Sequence, residues 1–129
     1  MDREIKFRGQ HMMSLEWVYG DLVRYIENGK EFTRISDDKD IYSQIMVIPE
    51  TVGQYTGLKD KHGVDVYEGD IIRGVRHHGG TCYHREGEVK YDDNNCWYYV
   101  DTYALNTKRL SAYKKIEVIG NIHDERGKD

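Results

Sequence analysis

Long hydrophobic runs, prolines and cysteines are all scarce in this chain. Residues 45–48 (IMVI) are typical of its longest apolar runs, and such a run is far too short to span a membrane. The opening residues MDREIK lack an apolar segment, so no signal peptide is expected and the cytoplasm is the predicted compartment. Only two cysteines are present, and because the expected compartment is reducing they are predicted to be free thiols; neither belongs to a CxxC pair.

An excess of basic residues is absent too. The 129 residues contain 19 Lys and Arg against 23 Asp and Glu, which gives a net charge of −4, unlike the charge of a strongly basic nucleic-acid binder. Hydrophobic residues make up only 38% of the chain, which predicts a thin core. Because a thin core can be supplemented by burial against further copies of the chain, a homo-oligomer is expected.

Tyrosine and glycine are abundant instead. Eleven tyrosines against two phenylalanines suit half-buried β surface, because the ring can pack while the hydroxyl stays in water. Thirteen glycines and a single proline place the turns at Gly and Asn rather than in Pro-rich linkers. The pair Asn28 and Gly29 lies between two apolar runs and predicts a β-hairpin, since both residues tolerate positive φ.

The alternating segments predict an all-β fold, because no segment has convincing helical periodicity. Residues 1–49 are expected to form an N-terminal β-hairpin region, with a further strand at residues 45–48. Residues 50–129 are expected to form a loop block followed by a small SH3-like or barrel-like portion, with at most one or two short helices, one of them within residues 103–111. The two regions could also form one continuous domain.

Several sequence blocks resemble the YopX family of phage and prophage proteins. They are REIKFRG (3–9), EWVYGDL (16–22), ETVGQYTGLKDK (50–61), VYEGDII (66–72) and IEVIGNIH (116–123), and in this order they span nearly the whole chain. The resemblance implies a β-rich protein with a barrel-like C-terminal portion, some relatives forming oligomers, and it supplies no catalytic residues. The stretch HHGGTCYH (77–84) is not part of the family pattern.

The central block, residues 55–70, is the leading interaction candidate, because its residue choice is too ordered for a spacer. Its candidate residues, with two from the last block, are Tyr55, Gly57, Asp60, Tyr67, Glu68, Gly69, Asp70, Gly120 and Asn121. The carboxylates among these candidates could pair as a general acid and a general base, or they could bind magnesium. We prefer a structural role for Glu68 and Asp70, because at a turn carboxylates accept backbone N–H bonds.

A second hypothesis is a small β-barrel that binds single-stranded nucleic acid. Its candidates combine cations with a ring: Arg73, Arg76, Arg85, Lys90 and Trp97. Basic rims with exposed rings hold single strands, at about 1–3 kcal/mol for each stacked base. Strand alternation buries about half of the rings in this region, and the rest of the chain is acidic, which repels phosphate at long range.

A metal-dependent enzyme is the weakest hypothesis. Imidazole and thiolate ligands occur in the 77–84 stretch and just beyond it, at His78, Cys82, His84 and Cys96, but no pair has zinc-finger spacing. No nucleophile elbow, phosphate-binding loop or dinucleotide fingerprint is present, so no cofactor is expected. The sequence therefore predicts a non-enzymatic phage or prophage accessory protein that contacts itself or an unknown phage or host protein.

Overall fold

The computed structural model describes residues 3–40, 42–103 and 107–124, and β-strand is the main secondary structure of this part of the chain. Its helical segments are the 3₁₀ turns Pro49–Thr51 and Leu110–Ala112, so the all-β prediction is confirmed. No helix in the described ranges is long and apolar enough to cross a membrane. The strands are β1 (Phe7–Gln10), β2 (Trp17–Glu27), β3 (Lys30–Asp37), β4 (Gln44–Met46), β5 (Gly53–Lys59), β6 (Asp65–Tyr67), β7 (Asp70–His78), β8 (Thr81–Asp92), β9 (Trp97–Asp101), β10 (Lys108–Arg109) and β11 (Lys114–Asn121).

The chain divides into two compact units, one ending at Tyr55 and the other beginning at Thr56. The division at residues 49 and 50, with one continuous domain as its alternative, stays a prediction, and the 3₁₀ turn Pro49–Thr51 and the start of β5 lie in the first unit. The expected strand at residues 45–48 is observed as the shorter β4.

The first unit is an antiparallel sheet in which the strands follow the order β4, β3, β2, β1 and β5. Asn28 and Gly29 connect β2 to β3 with φ of 51° and 77°, and Glu27 pairs with Lys30, which confirms the predicted hairpin. Ile35 and Val47 are fully buried in this unit. A Cβ at Gly9 would lie 3.0 Å from Val47 Cγ2, so glycine lets the chain pass close to this core.

The second unit contains a five-stranded antiparallel sheet built as a meander. Strands β7 to β10 follow one another, the 3₁₀ turn Leu110–Ala112 comes next, and β11 returns to pair with β7. This 3₁₀ turn is the only helical segment within residues 103–111 that the structure describes, and residues 104–106 of the expected helix lie outside the described ranges. The core of the unit is Val66, Ile72, Val89, Val100, Leu110, Tyr113 and Ile116.

Two glycines allow close packing in the second unit. A Cβ at Gly87 would collide with the carbonyl oxygen of Asp101 and lie 2.8 Å from Val100 Cγ1. A Cβ at Gly74 would lie 3.1 Å from the Cβ of Tyr113. A side chain at position 87 would push β9 away from β8, and a side chain at position 74 would push Tyr113 away from β7.

Candidate functional site

The carboxylate of Asp60 connects the central block to the last strand, β11, by hydrogen bonds. Its Oδ1 accepts hydrogen bonds from the backbone N–H groups of His62 (2.8 Å) and Val64 (2.9 Å), which closes the turn after β5. Its Oδ2 accepts the backbone N–H of Val118 in β11 at 3.0 Å. The carboxylate is 7% exposed and satisfies three donors at once, which assigns it to loop architecture.

These contacts also set the acidity of Asp60. Burial raises the pKa of the carboxyl group, and the hydrogen bonds from Val118, Val64 and His62, together with the His62 charge, lower it by more. The net result is a pKa below the ordinary value of 3.8. Asp60 is therefore ionised at neutral pH, and it is a poor candidate for a general acid.

Asp70 and Gly69 have a similar structural role at the other end of the block. Asp70 is 2% exposed, and its Oδ2 accepts the backbone N–H of Tyr67 at 2.8 Å, as expected for a carboxylate at a turn. Gly69 has a φ of 90°, which favours glycine. Its N–H donates to Val89 O and its carbonyl accepts from Ile122 N–H, both at 2.9 Å, so this turn joins β8 to the end of β11.

Most other family-block candidates lie in the interior or support turns. Tyr55 is buried, with the Lys6 ammonium 4.8 Å from its ring centre, while Gly57 is exposed with a φ of 90°. Glu68 and Asn121 are half-buried, and Asn121 bonds the carboxylate of Asp124 through both its backbone and its side-chain nitrogen. A Cβ at Gly120 would lie 2.7 Å from an Asp124 carboxylate oxygen.

The proposed nucleic-acid cations do not form one surface, because strand register separates them. Arg73 pairs with Glu86 across the sheet and bonds its carboxylate at 2.8 and 3.1 Å. On the same face, Lys90 donates to Asp101 at 2.9 Å. That bond raises the pKa of Lys90 and lowers the pKa of Asp101. Arg76 and Arg85 lie on the opposite face of β7 and β8.

Trp97 borders a polar groove of about 770 Å³ rather than a basic one. The Arg109 guanidinium lies 5.0 Å from its ring centre, so one face of the ring already has a cation. The groove also contains the carboxylates of Asp92, Asp93 and Asp101. This mixture of charges is poorly suited to a phosphate backbone.

The histidine and cysteine candidates lie at opposite ends of β8. His78 pairs with Thr81 at the tip of the β7–β8 hairpin, and Cys82 Sγ lies 3.9 Å from His84 Nε2. Cys96 lies in the turn between β8 and β9, where its N–H bonds Asp92 O. Within the described ranges, no three His, Cys, Asp or Glu side chains converge as metal ligands do.

Sequence reasoning missed a partly exposed apolar hairpin in the first unit. Strand β1 pairs with β2 only up to Gly20, and β4 pairs with β3 only from Arg34 onwards. Residues 21–32, termed here the β2–β3 ribbon, therefore form a two-stranded hairpin that no other described strand joins. The signal that could have revealed it is the length of the apolar run in β2, which carries apolar residues at both odd and even positions.

The β2–β3 ribbon has apolar side chains on both faces. On one face Tyr25 and Phe32 stack with ring centres 5.2 Å apart, and Arg34 Nε donates to the Tyr25 hydroxyl at 2.8 Å. On the other face Ile26 is 75% exposed, beside the ion pair between Arg24 and Glu31. A groove of about 550 Å³ follows this second face and is lined by Leu22, Arg24, Glu31, Thr33, Pro49 and Val52.

Comparisons with known proteins give a family and a fold. A family model described as YopX protein matches residues 6–126. The chain is also similar to a crystal structure of a protein from Enterococcus faecalis, with a TM-score of 0.52 and 22% identity over 97% of each chain, a likeness that shows the fold alone. No curated protein matches the chain.

Proposed function

We propose that this chain, which belongs to the YopX family, is a non-enzymatic accessory protein of phage or prophage origin that acts in the bacterial cytoplasm through protein–protein contacts. The observation that carries the proposal is the β2–β3 ribbon, a two-stranded extension with apolar side chains on both faces. Isolated two-stranded hairpins are marginally stable in water, so such an extension gains most from a partner.

A second copy of the chain is the partner that fits the ribbon best. Outside their mutual pairing, its two strands have backbone N–H and C=O groups that no other described strand uses, and such an edge readily pairs with a copy of itself about a twofold axis. Burial of Ile26 in the interface would contribute about 1.5–3 kcal/mol. The neighbouring charges of Arg24 and Glu31 already neutralise each other, which lowers the desolvation penalty when a second copy of the chain approaches.

The central block supports a non-enzymatic role. Asp60 and Asp70, two carboxylates of the acidic central block, both accept backbone N–H groups in turns. Two of the four cations of the nucleic-acid hypothesis, Arg73 and Lys90, are paired with carboxylates, so that hypothesis is less well supported.

Sedimentation velocity over a range of concentrations tests the proposal with wild type, Ile26→Lys and the matched control Ile122→Lys. Ile122 is also an exposed isoleucine, 48% accessible, and it lies in the second unit. We expect wild type and the control to self-associate and Ile26→Lys to remain monomeric. A wild-type protein that is monomeric at every concentration, or an Ile26→Lys variant that assembles normally, would contradict the proposal.

A further inference from the structure

The β7–β8 hairpin has one strongly cationic face. In its register, Ile72 of the core pairs with Gly87, and towards the tip the same face continues through three further pairs. These pairs are Gly74 with Arg85, Arg76 with Tyr83, and His78 with Thr81. The face beyond the core therefore contains two arginines, a histidine and a tyrosine, and no carboxylate.

The Tyr83 ring contacts two guanidinium groups. Those of Arg76 and Arg85 each lie 5.1 Å from the centre of its ring, which is favourable cation–π geometry. Arg85 also donates from Nη1 to the His84 carbonyl at 2.9 Å. Tyr83 and Arg76 are half-buried and Arg85 is exposed, so the cluster is ordered and still open to a ligand.

The charges of this cluster are not neutralised within the described part of the chain. Neither Arg76 nor Arg85 forms an ion pair there, and the buried Nε of Arg76 has no hydrogen-bond partner. Arg73 provides the contrast. It lies on the same strand as Arg76 but on the opposite face, where it binds the carboxylate of Glu86. Two guanidinium groups that contact one ring and lack a counter-ion are suited to bind an oxyanion.

We propose that Arg76, Tyr83 and Arg85 form a binding site for carboxylate side chains of an acidic peptide segment on a partner protein. A guanidinium group binds a carboxylate through two parallel hydrogen bonds, and Arg85, which is exposed, presents such a group at the surface. The inference rests on the proposed role in protein–protein contacts, but it requires neither the β2–β3 ribbon nor self-association.

A nucleic-acid strand fits this site less well than an acidic peptide. A strand needs a continuous row of cations, and the other two cations of the nucleic-acid hypothesis, Arg73 and Lys90, lie on the other face, each paired with a carboxylate. Single strands are also held by stacking on open rings, whereas Tyr83 already carries both guanidinium groups.

Fluorescence anisotropy at low salt tests the site with a labelled oligo-glutamate peptide, an oligo-glutamine peptide of the same length and an oligo-dT strand. The proteins are wild type, Arg76→Gln, Arg85→Gln and the matched control Arg73→Gln, each checked for folding by circular dichroism. We expect wild type and Arg73→Gln to bind oligo-glutamate equally, and Arg76→Gln and Arg85→Gln to lose about tenfold in affinity.

Three outcomes would overturn the inference: no binding of oligo-glutamate by wild type, equal binding by all four proteins, or tighter binding of oligo-dT that depends on Arg76 and Arg85. None of them alters the sedimentation result for Ile26→Lys, so failure of this site and failure of the proposed self-association are distinguishable.

Discussion

Asp60 joins parts of the second unit that are far apart in the chain. It lies at the end of β5, and its carboxylate binds the backbone of Val118, 58 residues later. One carboxylate thus connects a loop to the terminal strand of the sheet, because it loses its hydrogen bonds to all three N–H donors together when the loop opens.

The substitution Asp60→Asn should destabilise the protein by about 1–3 kcal/mol. Asparagine keeps the oxygen that closes the turn, but its NH₂ group faces the Val118 N–H and leaves that donor without an acceptor. Denaturant unfolding measures the change, with Asp38→Asn as a control because Asp38 is an exposed aspartate. Equal free energies of unfolding for the two variants would show that the Asp60 side chain does not stabilise the contact between its loop and β11.

The effect of Asp60→Asn should depend on pH. The pKa of Asp60 is lowered in the folded protein, so its carboxylate contributes stability above the pKa of the unfolded chain and loses that contribution as pH falls through the folded value. The difference in unfolding free energy between wild type and Asp60→Asn should be largest at neutral pH and shrink below about pH 4. A difference that is constant from neutral to acidic pH would disagree with this account.

Residue types predicted turns well and long-range contacts poorly. Asp70 beside Gly69 was recognisable as a turn carboxylate, because Asp and Gly have well-known local preferences. The partner of Asp60 in β11 was not recognisable, because nothing local to residue 60 specifies which distant backbone N–H will meet it. The same limit hid the pairing of Arg73 with Glu86, which depends on the register of β7 and β8.

Strands and turns were the elements that the sequence specified most clearly. Asn28 and Gly29 predict their hairpin because few residue pairs adopt positive φ so readily. The extent of pairing around that hairpin could not be predicted, since it depends on where β1 and β4 end. The β2–β3 ribbon is therefore a property of the assembled sheet rather than of its own residues.

Gly87→Ala should destabilise the second unit by about 1–3 kcal/mol, because the new methyl group meets the backbone of Asp101 in β9. Gly74→Ala should cost less, since its closest approach, 3.1 Å to the Cβ of Tyr113, is a tight contact rather than a collision. Thermal unfolding of both variants measures which substitution lowers the stability more. A larger loss for Gly74→Ala than for Gly87→Ala would show that β9 does not approach β8 as closely as described.

On the scale of the whole molecule, the central block and the proposed contact surfaces separate. The central block supplies Asp60, Gly69 and Asp70 to the interior of the second unit, where they connect turns to strands. The surfaces proposed for partners lie elsewhere, on the β2–β3 ribbon and on the cationic face of the β7–β8 hairpin. The central block is thus assigned to folding, and the two hairpins are proposed for recognition.

Hydrogen–deuterium exchange at low and high protein concentration tests this separation most directly, because it reports on every amide at once. Amides of residues 21–32 are expected to gain protection as the protein concentrates, while those of residues 55–70 stay equally protected throughout. Concentration-dependent protection within residues 55–70, with none in residues 21–32, would contradict the account.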